Sequence, residues 1–230
     1  MGLSEIKAIA IDLDDTLIDT SGLLVPLAAK RACLNMISEG LHCSLEECVA
    51  LRAQLAVEYS HRELFALIAQ RAGHDDFARI GDIGAHAFYG HTDLPSPLPL
   101  LPDALETLEE LKGRYRLFLV TAGIEATQRK KISLARLEPF FEEIFVIDKF
   151  QNKNKATAFE AILQKTLFQP QELLSLGNRL KEEIRLAKRL GARTCYFEYG
   201  EHVGETPQEP ADHPDFRIHR WQDFIRTCQL

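Results

Sequence analysis

The chain has 230 residues, of which 46% are hydrophobic and 27% charged, and a formal net charge of −7. That is enough to bury one sizeable core and a smaller satellite domain. Mild acidity with both signs interspersed excludes the concentrated basic surface that a nucleic acid or an anionic membrane requires. Five cysteines without a CxxC pair, and an N-terminus lacking a charged segment followed by an apolar one, point to a reducing cytoplasm.

In chain order, the first element is the apolar run Ile6-Lys7-Ala8-Ile9-Ala10-Ile11, which reads as a strand covered on both faces. Asp12-Leu13-Asp14-Asp15-Thr16 follows directly, so two carboxylates two residues apart stand where that strand ends. Open parallel sheets hold their ligands just beyond the carboxyl ends of their strands. Asp12 and Asp14 therefore belong in a crevice, where a carboxylate can serve as a phosphate-handling nucleophile.

From 25 to 89, apolar residues recur every three or four positions, the pattern of helices. Ser44-Leu45-Glu46-Glu47 and Ser60-His61-Arg62-Glu63 read as capping boxes. The first should open a helix running to about residue 59 and the second a helix that Gly73 ends. Pro95, Pro97, Pro99 and Pro102 then punctuate a linker. Beyond it the pattern predicts helix 103–112, strand 116–120, helix 125–137, strand 144–147, helix 155–167, strand 173–176, helix 180–190, strand Arg193–Phe197 and strand Phe216–Ile218. Trp221 and Phe224 form the apolar face of a closing helix. Strands alternating with helices mean an α/β fold, a Rossmann-like doubly wound parallel sheet that the first strand joins. The helical block is then an insertion after the aspartate loop, placed like a lid. The expected division is an α/β core of 1–18 and 98–230 and a helical cap of 19–97.

A nucleophile at Asp12 calls for hydroxyls and a cation to hold a phosphate, and for oxygen ligands to hold a metal, all at strand ends. Thr121 follows the apolar run Leu117-Phe118-Leu119-Val120, so its hydroxyl and the next backbone N–H groups can hold phosphate oxygens at a helix start. Lys153 and Lys155 lie in a short polar loop after strand 144–147, and either ammonium could neutralise a transferring phosphoryl group. Gly177-Asn178 follows strand 173–176, with Glu182 and Glu183 in the next helical turn, where oxygen ligands suit Mg²⁺. His42, Cys43 and Cys48 lack the count and spacing of a closed zinc site.

These motifs, in order and each at a strand end, resemble the haloacid dehalogenase-like hydrolase superfamily, in the branch with a helical cap between its first and second motifs. Asp12-Leu13-Asp14-Asp15-Thr16-Leu17 resembles motif one, the run ending in Thr121 motif two, and the Lys153 loop motif three. Lys153 is preferred to Lys155 because Lys153-Asn154-Lys155-Ala156-Thr157-Ala158-Phe159 keeps the family's interval from Lys to Phe, although both of its prolines are missing. Leu101-Pro102-Asp103-Ala104 resembles the Pro-Gly turn that leads out of the cap. Motif four departs: Asn178 stands at the first acidic position and Glu183 at the second, with Glu182 adjacent.

The resemblance implies a Mg²⁺-dependent phosphatase acting on a small phosphorylated metabolite. Asp12 would form an aspartyl-phosphate, Asp14 protonate the leaving oxygen and then activate water, and Thr121 and Lys153 hold the phosphoryl oxygens. Mg²⁺ would be held by Asp12, the Asp14 main-chain carbonyl, and Asn178 or Glu183. Dehalogenases of the family lack an acid at the position of Asp14, which separates this chain from them. Two other readings share these residues: a sugar-phosphate phosphomutase, and a binding or scaffolding protein in which Asn178 has cost turnover. The sequence is silent on oligomeric state.

Overall fold

The computed structural model describes residues 5–56, 58–90, 93–148, 150–151 and 153–230. The chain forms two compact units, one of Met1–Asp19 and Pro95–Leu230, the other of Thr20–Leu94.

The first unit is built on a six-stranded sheet of order β3-β2-β1-β4-β5-β6. Its strands are β1 (Ala8–Ile11), β2 (Arg116–Ala122), β3 (Glu143–Ile147), β4 (Leu173–Gly177), β5 (Arg193–Phe197) and β6 (Phe216–Ile218). All five pairings are parallel. All four residues of β1 are buried, as an unbroken apolar run between two covered faces requires. On one face Ala8, Ala10, Phe118 and Val120 pack with Ala158, Phe159 and Ile162 from the helix after β3 and Ala187 from the helix after β4. The order β3-β2-β1 runs one way from β1 while β4-β5-β6 runs the other, so the carboxyl end of β1 lies where the winding reverses. Crevices form at such points because the flanking connections leave to opposite faces.

The second unit contains α1 (Val25–Ser38), α2 (Leu45–Leu55), α3 (His61–Arg71) and α4 (Phe77–Tyr89). Both capping boxes form: Ser44 and Ser60 accept from the backbone N–H of Glu47 and Glu63, whose carboxylates return a bond to the cap. Gly81 on α4 lies so close to α3 that a Cβ there would stand 2.5 Å from the Ala66 Cα. Among the described residues no helix is long and apolar enough to cross a membrane.

Helices α5 (Ala104–Lys112), α6 (Glu125–Leu134), α7 (Ala156–Thr166), α8 (Arg185–Arg189) and α9 (Phe224–Cys228) complete the first unit. The helix opened by Ser44 ends at Leu55 and not at about residue 59. In the first unit three further boundaries differ by more than one residue from the expected ones, each for a local reason. β2 continues to Ala122, which puts Thr121 inside the strand and in register with Val146 of β3. α6 stops at Leu134 because Arg136 turns into the left-handed region at φ 55°. The segment after β4 opens not as an α-helix but as a wide turn over Leu180–Ile184, with the N–H of Ile184 reaching back five residues to the carbonyl of Arg179. Asp103 adopts φ 65° just before α5, the conformation that a glycine would hold in the Pro-Gly turn it resembles.

Candidate active site

Asp12 extends the ladder of β1 by one step, its N–H donating to the carbonyl of Leu176 at 3.0 Å. The next residues fold back sharply: Leu13 O accepts from the N–H groups of Leu17 at 2.9 Å and Ile18 at 3.1 Å. Asp15, at φ 54°, is buried in that turn. Two distant segments brace it. The indole N–H of Trp221 donates to Thr16 O at 2.6 Å, giving that residue a role beyond the apolar face expected of it. Gly200, at φ +79°, lies so close that a Cβ there would stand 2.4 Å from the Asp15 carboxyl carbon.

On the β2 side, the Asp14 carboxylate is held from α6. Its Oδ1 accepts from Lys131 Nζ at 2.7 Å and its Oδ2 from Gln128 Nε2 at 2.8 Å. The same Gln128 nitrogen donates to Thr121 Oγ1 at 2.6 Å, so one amide ties together the residues expected to act as proton donor and phosphate holder. Neither Gln128 nor Lys131 was among the expected site residues. The available signal was their spacing of three on the helix after Thr121, which puts both on one face.

On the β4 side, the cation is Lys155 and not Lys153. Lys155 is buried, with Nζ 2.5 Å from Asp12 Oδ1 and also donating to Glu183 Oε1, whereas Lys153 is exposed. The interval from Lys to Phe misleads because α7 begins at Ala156, which places Lys155 at its capping position and leaves Lys153 in the loop before it.

Glu183 is buried and Glu182 is not, and Glu183 Oε2 also accepts from the N–H of Arg179 at 2.9 Å. Gly177 leaves room for it, since a Cβ at 177 would stand 2.2 Å from Glu183 Cγ. Asn178 is buried, with Nδ2 donating to Tyr199 O at 3.3 Å. That bond commits the nitrogen of the amide to the backbone and keeps its oxygen as the acceptor. The structure thus gathers Asp12, Asp14, Thr121, Asn178 and Glu183 at the ends of β1, β2 and β4, and leaves Lys153 outside.

Burial, the largest influence on Asp12, raises its pKa; Lys155 opposes the rise, Glu183 and Asp14 add to it, and the carboxyl is pushed up to about 7. Burial also opposes the charge on Lys155, but Asp12 and then Glu183 more than compensate and hold the ammonium above its usual range.

These donors fit a hard divalent cation. Buried carboxylates at Asp12 and Glu183 share one ammonium, so the pocket carries surplus negative charge. Asn178 adds a neutral carbonyl oxygen. Oxygen ligands with incomplete charge compensation are what Mg²⁺ requires.

Comparison with known proteins identifies the family of the chain. Residues 6–191 match the haloacid dehalogenase-like hydrolase family. The glyceraldehyde 3-phosphate phosphatase of Methanopyrus kandleri is 29% identical over 226 residues, covering 96% of this chain and 96% of its own. That of Pyrococcus furiosus is 30% identical over 232 residues, covering 99% of this chain and 95% of its own. The HAD-hydrolase YfnB from Bacillus subtilis, solved bound to magnesium, shares the fold with a TM-score of 0.65 at 18% identity, covering 97% of this chain and 98% of its own. The chain belongs to the haloacid dehalogenase-like hydrolases.

Proposed function

We propose that the protein is a Mg²⁺-dependent phosphatase that hydrolyses a small-molecule phosphomonoester through an aspartyl-phosphate on Asp12. The observation that carries this reading is the convergence of Asp12, Asp14, Thr121 and Lys155 at the ends of adjacent parallel strands. Asp12 is the nucleophile: one carboxylate oxygen attacks phosphorus while the ester P–O bond breaks. The leaving oxygen takes a proton from Asp14, which then accepts one from water as that water attacks phosphorus and breaks the bond to Asp12. Inorganic phosphate departs, and both aspartates return to their starting states. The Thr121 hydroxyl and the Lys155 ammonium hold the phosphoryl oxygens, replacing water with fixed donors.

Asp12, the Asp14 main-chain carbonyl, Asn178 and Glu183 would hold Mg²⁺, whose charge offsets repulsion between the nucleophile and the phosphoryl group. Several relatives are named glyceraldehyde 3-phosphate phosphatases, which supports a short phosphorylated metabolite as substrate and makes that triose phosphate the first compound to try.

Purified protein should release phosphate from p-nitrophenyl phosphate only with Mg²⁺, and from at least one member of a panel of small phosphorylated metabolites headed by glyceraldehyde 3-phosphate. Protein that is folded yet inert on the whole panel at any Mg²⁺ level would overturn the reading. Transfer of phosphate to a second hydroxyl of a sugar, without release, would make it a mutase.

A further inference from the structure

We infer that Lys131 and Gln128, on one face of α6, are positioning residues that aim the Asp14 carboxyl at the leaving oxygen and the Thr121 hydroxyl at the phosphoryl group. The inference rests on the phosphatase reading above and assigns roles that the motifs alone do not. Both side chains are buried, although each ends in a strongly hydrated group. Burying such groups is costly unless they are hydrogen-bonded. Here the bonds go to Asp14 and Thr121, at 2.7 Å from Lys131 Nζ and at 2.8 and 2.6 Å from Gln128 Nε2.

The donor directions determine what each contact does. An amide nitrogen can only donate, so Thr121 Oγ1 accepts from Gln128 and its single O–H remains to donate outward. A hydroxyl fixed in that sense is ready for a phosphoryl oxygen and needs no reorientation. Lys131 can likewise only donate, and it grips one Asp14 oxygen while Gln128 grips the other, which fixes the plane of the carboxyl group. As Asp14 passes its proton to the leaving oxygen it becomes a carboxylate, and the Lys131 ammonium already stands beside it to stabilise that charge as it forms. Neither residue contacts Asp12 or Lys155 in the contacts described above, so their effect on the phosphoryl group runs through Asp14 and Thr121.

Loss of Lys131 should therefore act on the departure of a poor leaving group, while loss of Gln128 should act on every ester. The test measures kcat and KM for Lys131→Met, Lys131→Arg and Gln128→Met on glycerol phosphate, a poor leaving group, and on p-nitrophenyl phosphate, an activated one. Lys131→Met should lower kcat on glycerol phosphate by roughly 10- to 100-fold, leave KM within about twofold, and spare the aryl ester. Lys131→Arg should restore much of the loss. Gln128→Met should lower kcat on both esters, through Thr121, and more on glycerol phosphate, through Asp14.

An equal loss on both esters in Lys131→Met, or a rise in KM with kcat unchanged, would overturn the positioning role and make Lys131 a scaffold or a direct substrate contact. If Lys131→Met fails to fold by circular dichroism, Lys131→Gln takes its place with the same expectations. Asp12→Asn in the same assay keeps the two levels apart: turnover by that variant overturns the covalent reading, whereas an inert Asp12→Asn with unselective Lys131 variants overturns only the inference about α6.

Discussion

Lys155 Nζ and Asp12 Oδ1 meet at 2.5 Å inside the protein, with both side chains almost sealed from water. Glu183 accepts from the same ammonium. Removing the cation would leave two carboxylates facing one another in a poorly solvated space. A buried charge stripped of its partner typically costs about 3–5 kcal/mol. Lys155→Met should therefore lower stability by about 3 kcal/mol or more at neutral pH, and abolish phosphatase activity. Lys153→Met should change stability by less than about 0.5 kcal/mol and leave turnover nearly intact, because its side chain is exposed. Urea melts and initial rates on the two variants check this; equal losses would mean that both lysines serve the site.

Trp221 is worth more than its apolar area. Its indole N–H supplies the Thr16 carbonyl with a buried hydrogen bond at 2.6 Å. Trp221→Phe keeps much of the packing but orphans that carbonyl, at a cost of about 1–3 kcal/mol plus the lost volume. The aspartate loop should loosen as well, so kcat should fall more than stability alone explains. Thermal denaturation combined with turnover well below the melting temperature checks both parts.

The raised pKa of Asp12 has a definite sign for stability. Its value moves from 3.8 to about 7 on folding, so the folded state favours the protonated form. The resulting contribution is fully present below about pH 4 and is lost as pH rises through about 7. This is opposite to the behaviour of an ordinary salt-bridged carboxylate. In chelator, the melting temperature of wild type should fall relative to that of Asp12→Asn between about pH 4 and pH 8. Parallel profiles would mean that Lys155 holds Asp12 ionised throughout.

The sheet, both capping boxes and the aspartate loop were legible because each is encoded locally, in an apolar run, a Ser-x-x-Glu spacing or a residue pair following a strand. Residues whose roles depend on three-dimensional phase were harder to read. Lys153 and Lys155 differ by two positions in one loop, and only the start of α7 at Ala156 decides which is buried. Glu182 and Glu183 differ by one, and the wide turn at Leu180–Ile184 resets the helical phase that separates them. Gln128 and Lys131 read as ordinary polar residues of a helix because their partner, Asp14, lies more than a hundred positions away in sequence.

Asn178 leaves the acidic pocket one charge short of what a further aspartate would give it. Asn178→Asp should lower the half-saturating Mg²⁺ concentration by at least about tenfold, since a full charge attracts a divalent ion strongly in a partly desolvated site. The same substitution should destabilise the chelated protein by adding a carboxylate beside Asp12 and Glu183. Mg²⁺ titration of activity and melting in chelator should move in these opposite directions; if neither moves, Asn178 is not a ligand.

In the proposed reaction Asp12 carries the phosphoryl group between the two half-steps. Rapid acid quenching of wild-type protein during turnover of a radiolabelled phosphomonoester, followed by proteolysis and mass spectrometry, reads this directly. Label should appear on the peptide containing Asp12, build up within a single turnover, and be absent from Asp12→Asn. Steady hydrolysis with no label on that peptide, or label that persists there in Asp12→Asn, would mean that Asp12 is not the nucleophile.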